Sequence, residues 1–128
     1  MNTLMNLLII GTGGFFGAIF RVLISNFMHG HFPHKPFGTL TVNLLGSFLF
    51  GIMAFGFLQF SLFSERQFML VALGFCGSLT TMSSFAFESF EMLEHGRWIT
   101  FAAYVAAQVF LCILAVWGGK VVAGMVAG

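Results

Sequence analysis

The sequence predicts an all-α membrane protein of four transmembrane helices, the third broken near its middle, forming one domain over residues 1–128 and pairing as an antiparallel, dual-topology homodimer. Three observations lead there. Only 7% of the 128 residues are charged and 59% are hydrophobic, with a mean hydropathy of +0.99, whereas a soluble domain carries roughly 25% charge. Apolar stretches recur over about residues 4–28, 37–60, 67–95 and 99–125, each long enough to cross a hydrocarbon core of about 30 Å. Lys and Arg are nearly balanced across the ends of these spans: Arg66 and Lys120 lie on the side of the termini, Lys35 and Arg97 on the other, with Arg21 near that second interface. The positive-inside rule needs an excess on one side, so copies are expected to insert both ways and pair head to tail.

Composition also excludes several classes of function. A formal charge of +1 supplies no basic patch for nucleic acid and no polybasic tether, and the outer faces of the spans are left to contact membrane lipid. Cys76 and Cys112 lie in apolar stretches without CxxC spacing and read as free structural or lining thiols. No nucleophile stands with a base and no ligand cluster is evident, so an enzyme is not expected. The N-terminus has no charged region before Leu4 and no small-residue cleavage pattern, so it reads as a first membrane helix rather than a removed signal peptide.

The first span carries a GxxxG pair, Gly13 and Gly17, whose small residues let a second backbone approach closely where lipid removes the hydrophobic driving force. Arg21 in the same span must snorkel to the interface or stand at the mouth of an aqueous vestibule. Pro33 and Pro36 end the helix. His29, His31 and His34 between the first two spans have no acidic or thiol partner nearby to complete a metal site.

In the second span Thr39, Asn43 and either Gly46 or Ser47 recur at helical steps and make a narrow polar face. An amide at that depth is either interhelical glue or a donor to a passing anion. The third span, residues 67–95, is too long for a straight helix and is expected to break at Gly77 to Thr81, where glycine and threonine weaken it. Unwound backbone at membrane depth is tolerated where it lines a cavity, and its freed carbonyls suit a cation. Glu91 and Glu94 read as the solvated end of this span, while the role of Glu88 stays open. Trp98 reads as an interfacial residue. Tyr104, Gln108 and Cys112 fall four apart on the last span and form one stripe, either interhelical bonding or a polar track.

Three blocks, GGFFGAIFR at 13–21, GTLTVNLLGS at 38–47 and GFCGSLTTMSSFAFE at 74–88, stand in an order, spacing and span count that resemble the Fluc (CrcB) family of bacterial and archaeal fluoride channels. The resemblance covers essentially the whole chain. It implies a passive fluoride-selective channel in the plasma (inner) membrane that exports fluoride and lowers its cytoplasmic concentration, with two pores per antiparallel dimer. It also implies a structural Na+ ion at the dimer centre, held by the backbone carbonyls of Gly77 and Thr80. Asn43 and Phe85 would then edge the fluoride path, Thr39 and Ser83 would offer hydroxyls beside it, Tyr104 and Gln108 would lie on the fourth-helix track, and Arg21 would be the first-helix arginine.

The chain departs from the family pattern at two places. Met82 stands where the family usually has the first pore phenylalanine, and the fourth-helix track has Gln108 and Cys112 in place of small hydroxyl residues. A methionine fills space but has no electropositive ring edge, which leaves room for a heterodimer with a paralogous subunit. Two other functions fit four spans: a small multidrug-type proton-coupled exporter, for which Glu88 is the candidate carboxylate, and a non-transporting membrane assembly subunit.

Overall fold

A computed structural model describes residues 2–33 and 36–128. His34 and Lys35, counted above in the histidine loop and the charge balance, lie outside the described residues. Of the described residues 87% are helical and none is in a strand. Among the described residues, four helical spans are long and apolar enough to cross a membrane: Thr3–His31, Phe37–Leu58, Glu65–Glu94 and Trp98–Ala127.

The first, α1 (Thr3–His31), starts where the Asn2 side chain accepts a hydrogen bond from the Leu4 amide, which satisfies one of the donors every helix start leaves free. It runs one turn beyond the expected end at residue 28. The imidazole of His31 bonds the Phe27 carbonyl at 2.9 Å and occupies an acceptor of that last turn. The second span, α2 (Phe37–Leu58), begins directly after Pro36.

The third span opens earlier than residue 67 because Ser64 and Gln67 form a capping box. It is built of four pieces: α3 (Glu65–Phe68), a π-helix (Met69–Cys76), α4 (Gly77–Leu79) and, past a break, α5 (Met82–Glu94). A π-turn holds more residues than an α-turn and re-aims the side chains that follow it. At the far end Gly96 takes φ 67°, a conformation glycine adopts without penalty. The Arg97 amide then reaches the Met92 carbonyl at 2.8 Å and the Gly96 amide the Leu93 carbonyl at 3.0 Å, a Schellman stop that turns the chain into α6 (Trp98–Ala127).

Two backbone-to-backbone crossings hold the bundle together. Gly13 and Gly17 of α1 lie against the π-helix so closely that a methyl group on either would collide with the carbonyl of Leu70 or of Phe75. Gly51 of α2 and Gly119 of α6 meet in the same manner at the Val116 and Phe48 carbonyls. Small residues at both crossings permit this approach. By contrast, α1 and α6 have only 11% of their apolar windows buried. Their outward faces carry exposed Leu, Ile, Phe and Val, as lipid-facing surfaces do.

Candidate functional site

The third span breaks at Thr80 and Thr81, both extended, with ψ of 155° and 115°. The expectation of a break between Gly77 and Thr81 is met by the threonines and not by the glycine, which remains helical. A break at this depth strands backbone groups that lipid cannot satisfy, and Asn43 of α2 takes them up. The Thr81 amide donates to Asn43 Oδ1 at 2.7 Å, and Asn43 Nδ2 donates back to the Thr81 carbonyl at 3.2 Å. The side-chain amide thus pairs with the extended residue as a neighbouring strand would. Thr81 then starts α5, its Oγ1 accepting from the Ser84 amide at 3.2 Å.

From this pairing a polar seam runs between α2, α5 and α6. The second Asn43 N–H donates to Gln108 Oε1 at 3.0 Å, and Gln108 Nε2 donates to the Tyr104 hydroxyl at 3.0 Å. Tyr104 donates to one carboxyl oxygen of Glu88, and Thr39 Oγ1 donates to the other at 2.7 Å. The donors run in one direction, from the Thr81 amide to Glu88, and such chains polarise and strengthen one another. Thr39, Thr81, Tyr104 and Gln108 are all buried. Periodicity placed Thr39 with Asn43 and Tyr104 with Gln108 on single faces; the fold turns those two faces toward each other.

Beside the seam lies an open cleft of about 300 Å³, walled by Asn43, Ser47, Met82, Phe85, Gln108 and Cys112, with Thr80, Thr81 and Val109 completing it. Phe85 leans on Tyr104, ring centroids 5.5 Å apart. Met82 is 75% exposed, at the rim of the cleft. Ser83 is also exposed, its hydroxyl 3.2 Å from that of Thr81. Arg21 is half-buried on α1 and does not line the cleft.

A smaller cleft of about 220 Å³ also borders the break, sharing Ser47 and Thr80 with the first and including Gly77, Gly46 and Cys76. The Thr81 amide, which would close the helical bond to the Gly77 carbonyl, is spent on Asn43, and the Ser84 amide, which would reach the Thr80 carbonyl, is spent on Thr81 Oγ1. Both carbonyls are thereby without their helical donors. No group of three metal-ligating side chains occurs among the described residues.

Two residues of the seam had no place in the fluoride path expected from the sequence, where Thr81 was only part of the break and the role of Glu88 stayed open. Thr81, the centre of the Asn43 pairing, could have been found as an N-cap residue followed three positions later by Ser84. Glu88 could have been found only by knowing that α2 and α6 face it.

A four-span membrane protein whose third span is interrupted at depth, beside an open cleft and a buried polar seam, has the build of a channel or transporter and not of an anchor. The model of the CrcB-like protein, Camphor Resistance (CrcB) family matches residues 8–120. Among similar proteins, the fluoride-specific ion channel FluC of Methanococcus maripaludis is 45% identical over 117 residues, covering 89% of this chain and 92% of its own. The protein of the same name from Campylobacter jejuni (strain 81-176) is 40% identical over 91% of this chain and 95% of its own. That from Leptospira interrogans (strain Fiocruz L1-130) is 43% identical over 85% and 87%. The chain belongs to the CrcB family.

Proposed function

We propose that this chain conducts fluoride passively and selectively across the bacterial or archaeal plasma (inner) membrane, lowering its cytoplasmic concentration. The observation that carries this reading is a membrane-depth cleft walled by amide, hydroxyl and aromatic groups, in a chain whose relatives are named fluoride-specific channels. Fluoride holds its water tightly, so a selective path must replace that water with donors. On the cleft wall the Asn43 amide, the Ser47 hydroxyl and the ring edge of Phe85 are donors of that kind, while Ser83, beside Met82, is not among the lining residues. None is a full charge, and weak donors in series let an ion leave as well as arrive. Arg21, away from the cleft, serves the approach to it.

The cleft is open along one side, and Met82 stands 75% exposed at its rim. A second copy in the opposite orientation closes each cleft, giving two pores per antiparallel dimer, with Met82 of one protomer reaching toward the other's path. The near-balanced Lys and Arg distribution supports insertion in both orientations. The Gly77 and Thr80 carbonyls fit a structural Na+ at the dimer centre: carbonyl oxygens suit a hard cation, and these two are free of helical donors. The ion would supply positive charge that binds the two broken spans together. A proton-coupled exporter is not favoured, because both carboxyl oxygens of Glu88 are held by Thr39 and Tyr104.

Fluoride efflux from liposomes carrying the purified protein, set against chloride efflux, tests the reading. Fluoride is expected to leave rapidly and chloride to stay; equal, negligible release of both ions overturns it.

A further inference from the structure

We propose that Gln108 sets the fluoride concentration at which the pore fills and helps exclude weaker anions, because its side-chain carbonyl competes with the ion for one proton of Asn43. This role presupposes the fluoride-channel function proposed above. A backbone amide can only donate, so the Thr81 N–H fixes Asn43 Oδ1 as its acceptor at 2.7 Å and orients the whole side chain. The Asn43 –NH2 group then has two protons, one on the Thr81 carbonyl at 3.2 Å and one on Gln108 Oε1 at 3.0 Å. No Asn43 proton is spare.

An anion that binds Asn43 must displace one acceptor, and the two differ in how they can yield. The Thr81 carbonyl is half of a two-bond pairing that satisfies the helix break, and its loss strands backbone in an apolar setting. Gln108 Oε1 is the tip of a flexible side chain on α6 that borders the same cleft. It is the acceptor that moves. Its amide end is tied to Tyr104 at 3.0 Å, so a displaced Gln108 pivots about that bond and uncovers the Asn43 N–H toward the cleft.

A neutral carbonyl is a fair acceptor, and only a stronger one displaces it. Fluoride, with its charge concentrated on a small ion, makes the stronger charge-assisted bond, while a larger, more diffuse anion gains less from the exchange. Position 108 thus imposes a threshold that fluoride passes and chloride does not. Specificity here is a difference between affinities, produced by an internal competitor.

Two variants move the threshold in opposite directions. Gln108→Met keeps a similar volume but removes the competing acceptor. The fluoride concentration for half-maximal flux is expected to fall by about fivefold, the factor that one net hydrogen bond carries, and chloride leak to rise. Gln108→Glu strengthens the competitor, and half-maximal flux is expected to need about fivefold more fluoride. Equal half-saturating concentrations in wild type and both variants, with only the maximal rate changed, would assign Gln108 a purely structural role and overturn the proposal. The unmodified protein supplies a readout that does not depend on either variant folding. Fluoride, and not chloride, should shift the NMR signals of the Asn43 and Gln108 side-chain amides together; unmoved signals overturn the proposal. Wild type that passes no fluoride in the liposome assay overturns the channel reading itself, whereas fluoride-selective wild type with unmoved thresholds overturns only the role of Gln108.

Discussion

Replacing Asn43 with alanine is expected to damage the fold at the break before it damages anything else. The change removes three hydrogen bonds, at 2.7, 3.2 and 3.0 Å. Gln108 can turn to another partner, but the Thr81 amide and carbonyl belong to a residue only 8% exposed and cannot follow. Each orphaned backbone group costs about 1–3 kcal/mol, so the pair costs about 2–6 kcal/mol. That is a large share of a total stability of about 5–15 kcal/mol. The amide can recover a partner only by rewinding onto the Gly77 carbonyl, which closes the break and displaces α5. Asn43→Asp separates the two halves of the loss: it keeps an acceptor for the amide but sets oxygen against the Thr81 carbonyl, and should fall between alanine and wild type. The assay is thermal unfolding in detergent followed by size-exclusion retention, with hydrogen exchange of the Thr81 amide read alongside. An alanine variant that melts with wild type and leaves Thr81 exchange unaltered would refute the strand-like pairing.

The α1 crossing and the acid end of the seam give two further expectations. Gly13→Ala puts a methyl group onto the Leu70 carbonyl and 2.9 Å from the Phe75 amide nitrogen, which should cost about 1–3 kcal/mol. Gly11→Ala meets nothing within 4 Å and should gain up to about 1 kcal/mol of helix propensity; melting temperatures in the reverse order would exclude this crossing. Glu88→Gln leaves one acceptor and one donor facing two hydroxyls that both donate. It should therefore cost about 1 kcal/mol and couple to Tyr104→Phe in a double-mutant cycle, strict additivity being the contrary result.

What could be read in the sequence was whatever a helical period records. Gly13 and Gly17 four apart announced a crossing, Tyr104 and Gln108 four apart announced a polar face, and threonines in an overlong apolar span announced a break. What stayed hidden depends on neighbours far along the chain. Asn43 meets Thr81 and Gln108 across separations of 38 and 65 residues, and no local pattern states that those faces meet. For the same reason Asn43, expected to choose between glue and anion donor, has both side-chain protons committed to glue. Glu88 was set apart from Glu91 and Glu94 but its role stayed open, because its two hydroxyl partners lie on other spans. The Gly51 and Gly119 crossing went unread because neither has a second glycine four residues away in its own helix, and the small residues at that spacing, Ser47, Ala115 and Ala123, are a weaker signal. The π-helix Met69–Cys76 has no composition that distinguishes it from an ordinary apolar helix.

The one-way order of the seam also decides what cannot travel along it. A proton hops through a row of hydrogen-bonded groups only if each can accept on one side and release on the other, after which every link reverses. Here the row starts at the Thr81 backbone amide, whose nitrogen has no lone pair free to accept with, and passes through two side-chain amides, which take up a proton at oxygen and release one from nitrogen only by way of an unfavourable imidic-acid form. The row can point only one way. A polar line through a membrane protein is a hazard where it invites protons to leak down their gradient; a line that begins in a backbone amide and crosses two side-chain amides gives them no such relay.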